Sequence, residues 1–234
     1  MPDLLAIDTS GEACSVALKV KNQTRLRHVH APLKHAELLL PAVRGLLDEA
    51  GMPLSDLDAI VFGRGPGSFT SLRIGISVVQ GLAWGADLPV VPISSLAAVA
   101  QQLVGQDPGI QHKANPCYIL VAMDARMSEV FHCTYKVSEA GILLPRSPES
   151  VSAPGAVEAA DAALTVGAGN GFDRYPELGR LGSTLCRVHK ELVPSAAALI
   201  PLAQRWLETH QPLPAAEAQP VYIRNQVADK PSMS

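Results

Sequence analysis

Apolar positions along the chain switch between two periods, and the switches mark out its elements. Leu4 to Ile7 is a short apolar run that reads as a strand, and Asp8-Thr9-Ser10-Gly11-Glu12 after it is turn chemistry. Cys14 to Val20 alternates as a second strand, and Gln23 to Val29 supplies a third. Between Lys34 and Ala50 the residues Leu38, Leu39, Ala42, Val43, Leu46, Leu47 and Ala50 follow helical spacing, with Gly51 as a stop. Pro41 lies inside that pattern. Its ring removes one amide and crowds the preceding turn, which predicts a first turn that is kinked or separately closed. Leu57 to Phe62 reads as a buried strand running into Gly63-Arg64-Gly65-Pro66-Gly67, and Ser68 is placed to cap a helix reaching Trp84. Val90 to Ile93 is a further strand, after which Ser94 or Ser95 caps a helix that ends near Gly105.

Gln106 to Pro116 is polar, carries Pro and Gly, and reads as a boundary between lobes. Beyond it the opening pattern returns. Ile119 to Met123 is apolar, Asp124-Ala125-Arg126-Met127-Ser128 is a turn, and Glu129 to Val137 alternates. Asp8 and Asp124 each close an apolar strand and open a turn into a second one, a single internal repeat. Ala163 to Val166 is a short strand ending in Gly167-Ala168-Gly169-Asn170-Gly171, and Ser195 to Thr209 is a helix. The pattern predicts an α/β, two-lobed, duplicated ribonuclease H-like fold, with lobes at 1–108 and 109–212. A Pro-rich tail at 213–234, with β-like Val221-Tyr222-Ile223, either returns to the first lobe or stays loose.

Composition narrows the function. Hydrophobic residues make up 47% of the 234 positions and charged ones 18%, enough apolar material for a sizeable core. The net charge is −3, with no basic stripe and only four Phe, four Tyr and two Trp, so the chain does not read as an autonomous nucleic-acid binder. MPDLLAIDTS lacks the basic run of a signal peptide, and no apolar run approaches the ~18–20 residues that span a bilayer. Cys14, Cys117, Cys133 and Cys186 are widely spaced without a CxxC pair, which predicts reduced, mostly buried thiols in a cytoplasmic protein.

Candidate chemistry is sparse. Gly65, Gly67 and Ser68 sit between a strand and a helix N-terminus, where backbone amides and the helix dipole attract a phosphate. No Gly-Lys-Ser/Thr follows, so the plain alternative is a tight turn ahead of a helix. Asp8, Thr9 and Ser10 suit a metal-bound nucleotide phosphate, with Asp124 opposite as a second carboxylate. The alternative is that both Asp residues only form their turns. Ala125-Arg126-Met127 lacks the small residues of a phosphate clamp, which argues against ATP hydrolysis. The seven His form no metal constellation, since His35 is followed one turn later by Leu39, and no GxSxG elbow marks a serine nucleophile. The helix after Ser68 is apolar almost all round and is interrupted by Gly75, Gly81 and Gly85, as expected where another backbone comes close. That surface belongs either to the chain's own core or to a helical docking face for a partner or a second copy.

The segments LLAIDTSGEACSVAL, KHAELLLPAV, DAIVFGRGPGSFTSLRIG, VAMDARMSEVF and PVYIRN together resemble the TsaB (YeaZ) family of bacterial tRNA threonylcarbamoyladenosine synthesis. The resemblance spans essentially the whole chain, departing at Ser71, where the family usually has Gly. It implies the actin-like, sugar-kinase-like ATPase fold and a non-catalytic scaffold that pairs with the catalytic paralogue TsaD and recruits TsaE. It implies contact with tRNA through that complex, no cofactor of its own, and ATP with Mg only at the level of the complex. It also implies a homodimer as the covering arrangement of the isolated chain. His35 stands where TsaD keeps the first of two metal-binding His, and Leu39 replaces the second. The docking residues it implies are His35, Leu38, Leu39, Ala42 and Leu46 on the first helix, with Leu72, Gly75, Ile76, Val79, Gln80 and Ala83 on the second. Two other classes compete with the scaffold: a stand-alone ATP-binding phosphotransferase, and a protease, which no nucleophile–base pair supports.

Overall fold

Two sheets carry the fold in the computed structural model, which describes residues 1–106, 110, 117–160 and 164–224. The first contains β1 (Leu4–Asp8), β2 (Ala13–Val20), β3 (Gln23–His30), β4 (Ala59–Gly63) and β5 (Val90–Ile93), in the order β3-β2-β1-β4-β5. β1 to β3 form an antiparallel meander, and β4 and β5 add on parallel to β1. α1 (His35–Ala50) joins β3 to β4, and α2 (Phe69–Gly85) is the crossover that the parallel pair β4–β5 requires. The second sheet is built from β6 (Cys117–Asp124), β7 (Val130–Val137), β8 (Leu143–Pro145), β10 (Thr165–Ala168) and β11 (Leu185–His189), with β9 (Ser150–Ser152) pairing beside β8 on β7. Its order is β11-β10-β6-β7-β8, again a meander of three followed by two parallel strands. The molecule is therefore a duplicated ribonuclease H-like fold, with each copy opening on a strand that ends in Asp.

Strand alternation sorts the core into layers. On the first sheet Leu5, Ile7, Val16, Leu18, Ile60 and Phe62 face α1 and α2, while Leu4, Ala6, Ala17, Ala59 and Val61 face the opposite side. That opposite side is covered by α5 (Ala196–Leu207), a helix that the division at 109–212 assigned to the second lobe. Ser15 on β2 anchors its start by accepting the Ala196 amide at 2.8 Å. α3 (Ser95–Gln106) makes the reverse move. Leu96, Val99, Ala100 and Leu103 pack beneath Ile119, Val121 and Cys133 of the second sheet, while Ala98 turns toward Leu199 and Ala203 of α5. The expected boundary at 108 lies outside the described residues. α4 (Gly171–Arg174) closes the far face of the second sheet with Phe172 against Leu120 and Ala122.

Local signals in the sequence correspond to two helix ends and differ from expectation inside α1. α1 is continuous through Pro41, and Glu37, whose carbonyl the ring leaves unbonded, lies on the solvent side. Gly51 ends α1 with φ 65°, its amide on the Asp48 carbonyl, the left-handed cap that glycine takes without penalty. Ser94 caps α3 through the Ala97 amide at 3.2 Å, which frees Ser95 for another contact. The tail returns to the first lobe: Leu213 and Val90 exchange two backbone hydrogen bonds of 2.8 Å, and the Val221 amide reaches the Arg64 carbonyl at 2.8 Å. The part of the expected tail beyond Arg224 lies outside the described residues.

Candidate functional site

β1 ends in Asp8, whose side chain turns back onto its own loop. Oδ1 accepts the Ser10 amide at 2.8 Å and Ser10 Oγ at 2.6 Å, and Oδ2 accepts Ser95 Oγ at 2.8 Å. β6 ends in Asp124, where Oδ1 accepts the Arg126 amide at 2.8 Å in the same two-residue turn. Asp8 is 1% exposed, and burial pushes its carboxyl above the usual range while the hydrogen bonds from Ser10 and Ser95 act against that shift. Asp124 takes the Tyr175 hydroxyl at 2.7 Å, Arg174 at 3.2 Å and Arg126 at 3.4 Å. The two carboxylates that sequence spacing offered to a metal-bound nucleotide are thus both engaged by donors of the chain, in their own turns and beyond them, and Asp8 is closed from solvent. Among the described residues no group of three His, Cys, Asp or Glu is arranged to hold a metal ion.

The other residues assigned to nucleotide form a joint between the β1 turn and α2. Thr9 Oγ1 donates to the Ser71 carbonyl at 2.7 Å, the Ser68 amide donates to the Ser10 carbonyl at 2.8 Å, and the Gly65 carbonyl accepts the Ser95 amide. Backbones approach so closely here that a β-carbon at Gly67 would overlap the Ser10 carbonyl, and one at Gly75 the Thr9 hydroxyl. The Ser68 side chain does not cap α2, contrary to expectation. It meets Ser71 Oγ at 3.1 Å instead.

A cavity of about 330 Å³ opens between the lobes beside this joint, with Ser10, Gly67 and Ser68 on one wall and Asp124 and Asn170 on the other. Arg126 spans its mouth to Glu12 at 2.6 Å. Arg126, Met127 and Ser128 all have positive φ, the left-handed region that residues with side chains seldom occupy in succession. The tail forms a further side. Tyr222 takes a hydrogen bond from Arg73 at 3.0 Å, the Arg73 guanidinium lies 3.9 Å over the Phe69 ring, and Arg224 pairs with Glu129. His35 lines the cavity, is 2% exposed, and its Nε2 is buried without a hydrogen-bond partner among the described residues. Sequence reasoning gave this tail no place in the site, since nothing in residues 213–224 marks where an irregular segment crosses a surface.

The folded chain also corrects the docking face. His35, Leu39 and Leu46 on α1 and Leu72, Gly75, Ile76, Val79 and Ala83 on α2 are turned inward, most of them packed with Leu5, Ile7 and Phe62 of the first sheet. Leu38 and Ala42 are half-buried against the same core, and the Gln80 amide group donates to the Ala218 carbonyl of the tail at 2.9 Å. Burial within the chain leaves a second protein no access to the inward residues. The outward surface of the two helices carries different side chains: Leu40 at 50% exposure and Trp84 at 79%, with half-buried Leu47, Ile74, Val78 and Leu82 between them.

Paired ribonuclease H-like sheets with an Asp turn in each define the class of the actin-like, sugar-kinase-like ATPase fold, here with its cleft carboxylates tied into structure. The family model for TsaD, tRNA N6-adenosine threonylcarbamoyltransferase, matches residues 29–157. The TsaB protein of tRNA threonylcarbamoyladenosine biosynthesis from Escherichia coli K12 is 37% identical over 97% of this chain and 96% of its own length. That from Haemophilus influenzae is also 37% identical, over 97% and 95%. A crystal structure from Pseudomonas aeruginosa, of a protein described as similar to the peptidase YeaZ, matches with a TM-score of 0.86 and 40% identity. It covers 96% of this chain and 100% of that one. The chain belongs to the TsaB (YeaZ) family, a relation of TsaD.

Proposed function

We propose that this chain serves tRNA threonylcarbamoyladenosine synthesis as a non-catalytic subunit that docks a TsaD paralogue on the outward faces of α1 and α2, with TsaE joining the pair. ATP with Mg, and tRNA, belong on this reading to the assembled complex. The observation that carries it is an apolar surface the monomer does not use. Leu40 and Trp84 stand in solvent, and a β-carbon at Gly45 or Gly81 would meet nothing within 4 Å. Each glycine inside a helix costs about 1 kcal/mol relative to alanine. Gly75 is explained by Thr9; Gly45 and Gly81 have no such reason among the described residues, and a partner helix approaching their face supplies one. TsaB relatives carry the pathway in their names, and the match to the TsaD family model fits a paralogue of the catalytic subunit.

The test is size-exclusion chromatography with light scattering on this protein alone and with its cognate TsaD. Wild type should form a one-to-one complex, and Leu40→Glu and Trp84→Glu should weaken it at least tenfold, because an unpaired carboxylate at an interface costs about 2–4 kcal/mol. Both positions are reachable from outside, so melting of the isolated variants should stay close to wild type. Unweakened complexes in both variants would remove this face from the reading. A pure homodimer that ignores TsaD would remove the partner.

A further inference from the structure

We propose that the open edge of β3 is a docking site for an extended acidic segment of another protein, added to the five-stranded first sheet as one more strand. β2 and β3 are joined by the two-residue turn Lys21-Asn22, so backbone-bonded pairs recur at Val20–Gln23, Leu18–Arg25, Val16–Arg27 and Cys14–Val29. The series continues in the Ala31 amide, which donates to the Glu12 carbonyl at 3.0 Å. The amides and carbonyls of Thr24, Leu26, His28 and His30 therefore point away from β2, along the edge. The Leu26 carbonyl takes the Arg27 guanidinium at 3.3 Å, a contact that an incoming strand displaces. Every residue of β3 is exposed except Arg25, which is half-buried. The opposite edge of the same sheet is closed by the chain itself, since Val90 of β5 exchanges two backbone hydrogen bonds of 2.8 Å with Leu213. One edge is covered and the other presents a strand-length row of backbone groups.

Charge selects the occupant. The strand QTRLRHVH holds two Arg, two His and no carboxylate. Arg25, Arg27 and Val29 share the face toward α1, where Arg27 pairs with Glu49. Arg25 has the Gln23 side chain at 3.3 Å and no carboxylate partner among the described residues. Leu26, 40% exposed, lies on the other face with His28, which meets Ser15 Oγ at 2.9 Å, and His30, 4.0 Å from Glu12. A second copy of the chain fits this edge badly. In the antiparallel registers that pair most of the strand, Arg27 falls opposite Arg27 or Arg25 opposite Arg27, and like charges facing each other destabilise a pair. Carboxylates at alternate positions of an incoming strand face Arg25 and Arg27 instead, and an apolar residue between them meets Leu26. A nucleic acid could meet the guanidinium groups, but it offers no ladder to the outward amides and carbonyls. This edge is a different surface from the outward faces of α1 and α2, and each reading can fail without the other.

The full chain, labelled with ¹⁵N, should be titrated by NMR at constant ionic strength with the end-blocked peptide TVEVEVT, with TVKVKVT and with a short oligouridine. TVEVEVT should give saturable shifts at the Thr24, Leu26, His28 and His30 amides, with a dissociation constant on the order of 1 mM or below, and TVKVKVT should bind at least about fivefold more weakly. Leu26→Pro removes an amide that points outward and leaves the ladder with β2 intact, so this variant should melt close to wild type and lose the peptide. Arg25→Glu keeps every backbone group and should erase the preference for TVEVEVT over TVKVKVT. Wild type without saturable shifts at these amides overturns the proposal, as does equal binding of the two peptides. Leu26→Pro titrating like wild type would reduce the contact to loose charge attraction and overturn it too. Shifts produced by the oligouridine and by neither peptide would replace the protein segment with a nucleic acid.

Discussion

Asp8 shows how one buried side chain separates a structural role from a catalytic one. Three donors converge on it, the Ser10 amide, Ser10 Oγ and Ser95 Oγ. Asp8→Ala would leave all three without an acceptor and should lower stability by about 3–5 kcal/mol, read by urea unfolding. Asp8→Asn should behave in the opposite way. Its carbonyl oxygen can accept from Ser10, and its amide can donate to a rotated Ser95 hydroxyl. The wild-type carboxyl is raised chiefly by burial, so at neutral pH an ionised, buried group weighs against the folded state. As pH falls through the raised folded value, the folded chain takes up a proton before the unfolded chain does, and wild type gains on Asp8→Asn. His28, held low chiefly by burial, is drawn upward by the Asp8 charge, a pull that Asp8→Asn removes, so its protonation also favours wild type as pH falls. Asp8→Asn should therefore melt within about 1 kcal/mol of wild type or above it at pH 7–8, with its advantage shrinking toward pH 5. An advantage that grew toward pH 5 would contradict the burial reading.

At the scale of the element, α2 contains two glycines that a sequence treats alike and the fold does not. A methyl at Gly75 collides with Thr9 Oγ1, whose hydroxyl is held by the Ser71 carbonyl, whereas at Gly81 it meets open space. Gly75→Ala should cost about 2–3 kcal/mol by forcing the helix off β1. Gly81→Ala should gain about 0.5–1 kcal/mol through helix propensity alone. Thermal unfolding of the two variants decides this, and equal effects would dissolve the distinction. Periodicity made α1 legible, whereas α2 was legible as a long apolar run behind Ser68 whose glycines signalled a close neighbour. What it withheld was direction. When Leu38, Leu39 and Leu40 stand in a row, the pattern cannot tell Leu39, sealed against the sheet, from Leu40, half in water. Most of the positions that the resemblance offered as a docking surface face inward, because the chain buries its best apolar side chains itself and leaves a weaker stripe outside. The Ser68 cap failed for a related reason: the Ser10 carbonyl takes its amide and orients the loop, a contact far away in sequence.

At the scale of the molecule, the repeat of two Asp-ended strands was sufficient to recover the duplication, since each Asp turn fixes a hairpin and each hairpin nucleates one sheet. The exchange of layers was not legible. α5 is apolar on one face, and nothing in that face says whether the first or second sheet lies beneath it; Ser15 and the small residues Ala6 and Ala17 of the first sheet settle the matter in three dimensions. The tail extends the same logic. After α5 has crossed to the first sheet, residues 213–224 run over α2 and then back to the second lobe, so one strap touches both halves. Leu213 bonds Val90 twice, Ala218 is fully buried beside α2, Tyr222 receives Arg73, and Arg224 reaches Glu129. A chain ending at Gln211 would lose those bonds and expose the apolar surface beneath Ala218, at a cost of about 3–5 kcal/mol. Arg224→Ala, which severs only the last link, should cost about 1 kcal/mol or less, as partly exposed ion pairs do. Urea unfolding of both proteins separates a strap that holds the first lobe from a latch that holds the lobes together. A large loss on truncation with a small one for Arg224→Ala places the stabilisation on α2, upstream of the cleft. Comparable losses in the two would place it at the Arg224–Glu129 contact and make closure of the cleft the tail's main contribution.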